Sequence, residues 1–244
     1  MNHLNDRELQ DEIIRYLTEP AARAKSGATL ALAPEQAARA AHFARFLARR
    51  YYRDRLGRSF RYSAMLANGN GHRAMDVVET NEFNRIASSE PMGSLAAAQQ
   101  VGALAVRHLA RAKDEAWWPA LLDYEYAHFL QTATSESGQT DRHPRRGVSA
   151  VCWQFHWYIP ELLQHIKAKR PTEEAGDLNR PVTLLFSRTH VGKIFVMEVD
   201  PPMAAVFDAV DGAHSVAEIS ERTAMPLLAV EESLQSLKEV GAVA

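Results

Sequence analysis

The sequence predicts an α+β protein in which an all-helical bundle is followed by a small sheet and three further helices. Two observations support this class. Apolar residues recur at helical spacing through most of the first half of the chain, whereas β-branched and aromatic runs begin its last quarter. We therefore predict a helical bundle domain over residues 1–134, a connector over 135–180 with a strand that joins the C-terminal sheet, and a C-terminal domain over 181–244.

The composition bounds the class of protein. The chain has 244 residues, of which 46% are hydrophobic, and a formal net charge of −2. It therefore has ample material for a core and no basic excess of the kind that favours nucleic-acid binding. Cys152 is the only cysteine, which excludes an internal disulfide and indicates the cytoplasm. No apolar run approaches the ~20 residues that span a bilayer, so we expect no membrane segment.

Helix signals dominate the first half. The long helix that begins at Pro34 is predicted to turn Phe43 and Ala44 toward the core, and Asn68–Gly71 is a break. The predicted helices cover Asn5–Leu17, Pro34 into the arginine-rich segment, about His72–Ala87, Ser94–Ala112 and Trp117–Ala133.

The second half changes to strand propensity. The runs Val148–Tyr158, Pro181–Phe186 and Lys193–Val199 are predicted strands, and His190–Gly192 makes a hairpin of the last two. Three helices follow. The first begins at Asp200 with prolines in its first turn and stops at Gly212, the second opens with the capping box Ser215–Glu218, and the third opens at Pro226 and closes at Gly241.

This order, together with one turn, resembles a known module. The stretch Ala209–Ile219, which reads AVDGAHSVAEI, and the apolar stripe that follows it are similar to the PqqD-like winged-helix family, also called RiPP recognition elements. Members of this family bind the leader of a ribosomally made precursor peptide as an extra strand beside the hairpin, against the third helix. The resemblance implies a three-stranded sheet with three helices and a peptide site at Lys193, Ile194, Phe195, Val196, Met197, Val199, Val230, Leu234 and Leu237.

A wider resemblance covers roughly Pro34–Val243. A helical domain with Leu121–Ala127 near its end, then an extended segment, then a winged-helix module is similar to the partner subunits of multinuclear-iron TIM-barrel enzymes that modify peptides. Such subunits act in methanobactin synthesis (MbnC-like) and in 3-thiaglutamate synthesis (TglI-like), and the length and C-terminal module favour the second kind. The resemblance implies a non-catalytic subunit without a cofactor, in a heterodimer whose iron belongs to the partner enzyme.

The same resemblance implies the reaction that the complex performs on the peptide's cysteine. For TglI-like subunits the partner excises the β-carbon from a C-terminal cysteine of the carrier peptide, using iron and oxygen. For MbnC-like subunits the partner forms an oxazolone and a thioamide on cysteine.

An arginine-rich segment, Arg45–Arg61, contains seven arginines interleaved with four aromatic residues. This composition is typical of a solvated helix face with internal ion pairs, of a protein or acidic-peptide contact, or of nucleic-acid binding. We predict that Arg45, Arg49 and Arg53 contact a partner or an acidic segment.

Two other functions stay open. One is a winged-helix DNA-binding regulator, although Glu231, Glu232 and Glu239 in the third helix would repel phosphate. The other is a helical metalloenzyme, because Glu125 and His128 have the Glu-x-x-His spacing of di-iron bundles. The sequence has no second such pair, so a capping or core role is the favoured interpretation, and we predict no catalytic residues and no metal ligands.

Overall fold

The computed structural model describes residues 34–67, 71–135, 143–170 and 178–244. The predicted α+β class is confirmed, since the chain is mostly helical with one three-stranded antiparallel sheet. The elements in chain order are α1 (Pro34–Ser59), α2 (Arg61–Ala67), a 3₁₀ helix (Ala74–Glu79), α3 (Asn81–Ser89), α4 (Leu95–Leu109), α5 (Trp118–Ala133), β1 (Val151–Phe155), α6 (Ile159–Lys167), β2 (Val182–Arg188), β3 (Ile194–Glu198), α7 (Pro201–Ala209), α8 (Val216–Thr223) and α9 (Leu227–Glu239). The predicted helix Asn5–Leu17 lies outside the described residues.

Aromatic packing forms the centre of the bundle. The buried ring of Tyr52 on α1 lies with its centroid 5.9 Å from Phe83 on α3 and 6.3 Å from Phe129 on α5. The Tyr52 hydroxyl accepts a hydrogen bond from Gly93 N at 3.1 Å, and burial raises its pKa to about 12. One phenol thus links three helices and a loop.

No helix in the described part of the chain combines the length and the hydrophobicity that a membrane crossing requires.

The helix predicted over residues 72–87 is instead divided into the 3₁₀ helix and α3. Thr80 lies between them, where its hydroxyl accepts a hydrogen bond from Phe83 N at 3.1 Å and donates one to Val77 O at 2.7 Å. A threonine hydroxyl that binds the backbone in this way ends one helix and caps the next. Continuous helical periodicity in the sequence did not reveal this break.

The sheet has the order β1-β2-β3. The strand predicted in the connector supplies β1, which pairs with β2 in the register Cys152 opposite Leu185. Leu185 in turn lies opposite Met197 of β3, and this face packs against α7, α8 and α9, here called the three-helix layer. The other face carries Leu184 and Phe186, which belong to the bundle core. The sheet is therefore the middle one of three layers.

The three-helix layer begins and ends at the predicted signals. Asp200 Oδ1 accepts a hydrogen bond from Met203 N at 2.9 Å, and Ser215 and Glu218 form the predicted capping box of α8. Gly212 and Gly241 both have positive φ, at 84° and 73°, where glycine lacks the steric penalty of a Cβ.

Polar contacts tie the sheet to the end of α5. Arg188 Nη1 donates to Thr134 O at 3.0 Å and Gln131 O at 3.3 Å, which are carbonyl groups that the helix leaves unpaired. Ser149 Oγ donates to Gln131 Oε1 at 2.9 Å. The bundle core thus continues onto one face of the sheet. The domain boundaries predicted from the sequence stay predictions.

Gly241→Ala is expected to lower the free energy of unfolding by more than about 2 kcal/mol, because φ is positive and the new Cβ would lie 2.6 Å from Arg188 O. Urea denaturation of the purified protein measures this loss. Gly71→Ala is the matched control, since Gly71 has a φ of 71° but no atom within 4 Å of the added Cβ. It is expected to lose about 1 kcal/mol from backbone strain alone. Equal losses in the two variants would show that the collision at residue 241 is relieved at no cost.

Candidate functional site

The outer backbone of β3 is the first candidate site. Val199 N donates to Thr183 O at 3.0 Å and Thr189 N donates to Lys193 O at 2.9 Å, so the odd-numbered residues of β3 bond to β2. Because hydrogen-bonding direction alternates along an antiparallel strand, the N–H and C=O groups of Ile194, Val196 and Glu198 point away from the sheet. No other described strand pairs with them. We call these outward groups the open edge.

Side chains beside the open edge present two different faces. Ile194, Val196 and Glu198 share the bundle side of the sheet, and Val196 is 37% exposed. Phe195 and Met197 share the opposite side, where Met197 packs against the three-helix layer. The ammonium of Lys193 lies 4.5 Å from the Phe195 ring centroid, within reach of a cation–π interaction. The edge therefore combines free backbone groups with partly exposed apolar side chains.

A polar cluster lies beside the end of the open edge. Tyr158 Oη donates to Glu198 Oε2 at 3.0 Å, and the Arg180 guanidinium lies 3.9 Å from the Tyr158 ring centroid. The hydrogen bond to Glu198 raises the pKa of Tyr158, because the neighbouring carboxylate disfavours a phenolate. These contacts hold the Glu198 carboxylate at the last position of β3.

The structure separates the predicted peptide-site residues into two groups. Lys193, Ile194, Phe195, Val196 and Met197 line the open edge or flank it. By contrast, Val199, Val230, Leu234 and Leu237 are buried, with exposures of 7%, 0%, 4% and 0%. Their side chains fill the core beneath the three-helix layer, so they support the surface rather than form it.

The exposed apolar residues of α9 are different ones. Leu227 is 47% exposed and Leu228 is 66% exposed, at the start of the helix. The sequence prediction missed Leu228 because it followed the apolar stripe that packs inward. The sequence does contain a signal for Leu228, because it directly follows Leu227 and cannot lie on the same inward stripe of the helix.

Most of the arginine-rich segment is paired within the chain. Arg49 donates to Asn84 Oδ1 at 3.0 Å and lies 3.6 Å from Glu79, which also pairs with Arg53. Arg55 packs 3.4 Å from the Tyr51 ring centroid. Arg45 is exposed and has no ion pair with another described residue. The internal pairing predicted as one alternative is present for Arg49 and Arg53, although both side chains keep an exposed surface.

Glu125 and His128 do not converge on a common point. The buried Glu125 carboxylate accepts hydrogen bonds from Tyr62 N at 2.6 Å and Ser63 N at 3.2 Å, so it caps the first turn of α2. His128 Nδ1 instead lies 3.3 Å from Ser59 Oγ, and burial lowers its pKa. Within the described ranges there is no group of three or more His, Cys, Asp or Glu side chains that could hold a metal ion.

Comparison with known proteins adds no family to this picture. No model of a known protein family matches the sequence. No curated protein matches it either.

Glu125 is expected to make stability depend on pH. Burial raises the pKa of its carboxyl from 4.5 to about 8, while the hydrogen bonds from Tyr62 and Ser63 oppose the shift. The unfolded chain loses this proton first as pH rises, so the free energy of unfolding falls between about pH 4.5 and 8, by at most ~1.4 kcal/mol per pH unit. Urea unfolding at several pH values measures the slope.

Glu125→Gln is expected to remove this contribution and flatten the slope, because the amide keeps an acceptor oxygen but does not titrate. Glu232→Gln, at an exposed position of α9, is the control and should keep the slope of the parent protein. Parallel slopes for all three proteins would show that Glu125 titrates as it does in the unfolded chain.

Proposed function

We propose that this chain is a non-catalytic recognition subunit that binds a ribosomally made precursor or carrier peptide along the open edge of β3. The single observation that carries the proposal is the row of outward N–H and C=O groups at Ile194, Val196 and Glu198. An extended peptide that pairs with them becomes a fourth strand, which is a common mode of peptide recognition. Unpaired strand edges also attract unwanted partners, and a bound peptide strand would cover this one.

The arrangement around the edge supports this role. A three-stranded antiparallel sheet whose hairpin β2–β3 is followed by three helices is expected for the PqqD-like winged-helix modules that the sequence resembles, although here α6 lies between β1 and β2. Those modules hold a leader peptide on the last strand. The half-exposed apolar residues Val196 and Phe195 lie on opposite faces of β3. Because side chains of a bound strand also alternate, the peptide is expected to place apolar residues on both faces.

The chemistry in this proposal belongs to another protein. By the wider resemblance, the partner is a multinuclear-iron TIM-barrel oxidase that forms a heterodimer with this chain. It would act on the peptide's cysteine, by β-carbon excision in the TglI-like case or by oxazolone and thioamide formation in the MbnC-like case. The part assigned to this chain is to bind the peptide and present that cysteine.

A DNA-binding regulator is the alternative that the peptide proposal must exclude. Glu231, Glu232 and Glu239 are all exposed on α9, the helix that would enter a DNA groove, and they are accompanied by one lysine, Lys238. Like charge disfavours their approach to phosphates. Duplex DNA binding that weakens steeply with salt, without binding to the peptide, would support the regulator and contradict the peptide proposal.

Val196→Pro is expected to weaken binding of a synthetic candidate precursor peptide, selected because it binds the parent protein, by about tenfold or more. Proline removes an N–H that points outward, so pairing with β2 and the unfolding midpoint should change little. Val196→Ala is the matched control, because it trims the side chain but keeps the N–H. Fluorescence anisotropy measures both affinities. A folded Val196→Pro variant that binds as tightly as the parent protein would place the peptide elsewhere.

Amide hydrogen exchange is expected to show a two-residue alternation along β3 when the same peptide binds. The amides of Ile194, Val196 and Glu198 should become protected, because they gain partners, whereas those of Phe195 and Met197 already bond to β2. Residue-resolved exchange by NMR measures this pattern. Protection confined to α9, without any change on β3, would contradict strand addition.

A further inference from the structure

A second surface lies on α1, on the outer side of the bundle. A groove of about 690 Å³ runs beside this helix and the 3₁₀ helix. Its lining includes the apolar side chains of Phe46 and Met75, four guanidinium groups and two carboxylates. The lining residues are Phe46, Arg49, Arg50, Arg53, Asp54, Gly57, Arg58, Met75 and Glu79.

The residues on this side of α1 follow a heptad-like spacing. Successive separations of three, four, three and four positions place five residues on one face of the helix: Phe43, Phe46, Arg50, Arg53 and Gly57. The first four are exposed, and Gly57 is partly buried. We call this set the arginine seam. The buried residues of α1, such as Ala48 and Tyr52, lie on the opposite face. A seam with this spacing is the surface that a second helix packs along.

Phe43 and Phe46 are not part of the described core. They are 49% and 51% exposed, and their ring centroids are stacked 6.3 Å apart. The sequence prediction that Phe43 faces the core was wrong. Ala44 takes the inward position, and the rings of Phe43 and Phe46 point outward from α1. Exposed aromatic rings beside arginine have the composition of interface hot spots.

The charges that line the groove are only partly neutralised. Arg58 pairs with Asp54 at 3.0 Å, and Glu79 is shared between Arg49 and Arg53. Arg50 is exposed and has no ion pair with another residue in the described part of the chain. Four guanidinium groups therefore face two carboxylates, which leaves the groove positive and complementary to an acidic partner.

Gly57, which has no side chain, leaves its part of the groove open. A Cβ at this position would lie 3.2 Å from Met75 Cε, and a longer side chain would occupy the groove. Glycine within a helix costs stability relative to residues with side chains. The absence of a side chain here is therefore consistent with a surface that must admit another helix.

We propose that the arginine seam is a docking surface for an acidic, amphipathic helix of a partner protein. The apolar side of that helix covers Phe43 and Phe46, and its carboxylates pair with Arg50 and Arg53. This inference stands on the bundle alone and does not depend on the peptide proposal.

The first test uses a synthetic probe, a three-heptad helical peptide with leucine along one face and glutamate flanking it. We expect it to bind the full-length protein, and we expect the same peptide with lysine in place of glutamate not to bind. Arg50→Glu should weaken binding of the glutamate probe about five- to tenfold. Arg111→Glu is the control with the same change of charge, because Arg111 is exposed in the turn after α4, outside the groove. Isothermal titration at low and moderate salt measures the affinities.

Gly57→Leu separates docking from folding. The added side chain should fill the groove and weaken probe binding. Because the nearest atom to the new Cβ is the flexible end of Met75, the variant is expected to remain folded, which its unfolding midpoint checks. Equal affinity for the glutamate and lysine peptides, or an Arg50→Glu variant that binds as well as Arg111→Glu, would overturn the proposal.

Two other occupants of the seam would also overturn it. Concentration-dependent self-association that Arg50→Glu abolishes would assign the seam to a second copy of this chain. A photo-crosslinker at position 50 that captures the predicted helix Asn5–Leu17 of the same chain would assign it to an intramolecular contact.

Discussion

Burial of β2 on both faces is the constraint on which the rest of the structure depends. Val182, Leu184 and Phe186 point into the bundle core, and Leu185 between them points into the three-helix layer. A strand with alternate side chains in two cores cannot slip by one residue without exchanging both sets. The register with β1 and β3 and the placement of both helical layers follow from this one strand.

Hydrogen bonds at the end of β2 fix this strand to backbone carbonyls of both helical layers. Arg188 bonds to the last carbonyls of α5, and Ser187 Oγ donates to Val240 O at 2.7 Å after α9. Gly241 can lie against Arg188 because it has no side chain, and a Cβ would not fit there. Bundle, sheet and C-terminus therefore meet within two consecutive residues of β2. With β1 on one side of this central strand, β3 is left as the opposite edge, and its outward backbone groups are a consequence of the fold's order.

Local signals were sufficient to predict much of the C-terminal half. The Asp200 cap, the Ser215–Glu218 capping box and the hairpin each depend on residues close in sequence, and the structure has all three. The β-branched run Pro181–Phe186 predicted a strand, but an apolar run does not reveal that its two faces serve different cores. Phe43 and Glu125 were harder for the same reason, because the direction in which Phe43 turns and the capping of α2 by Glu125 depend on residues far away in sequence. The break at Thr80 is local, since its hydroxyl bonds to Val77 and Phe83, but the helical periodicity on both sides concealed it.

The two proposed surfaces use different physics, and their separation has a functional consequence. As proposed, the open edge pairs through backbone groups that are the same in every peptide, so its specificity would depend on the side chains of Val196, Phe195 and Glu198. As proposed, the arginine seam binds through charge together with the rings of Phe43 and Phe46, so its affinity would depend on salt and on the acidity of the partner. The bundle core lies between them, because α1 packs on α5 and α5 packs on β2. The two surfaces therefore do not adjoin each other. If a peptide binds the edge while an enzyme binds the seam, the peptide's reactive residue is held near that enzyme at a raised effective concentration, without any catalytic group from this chain.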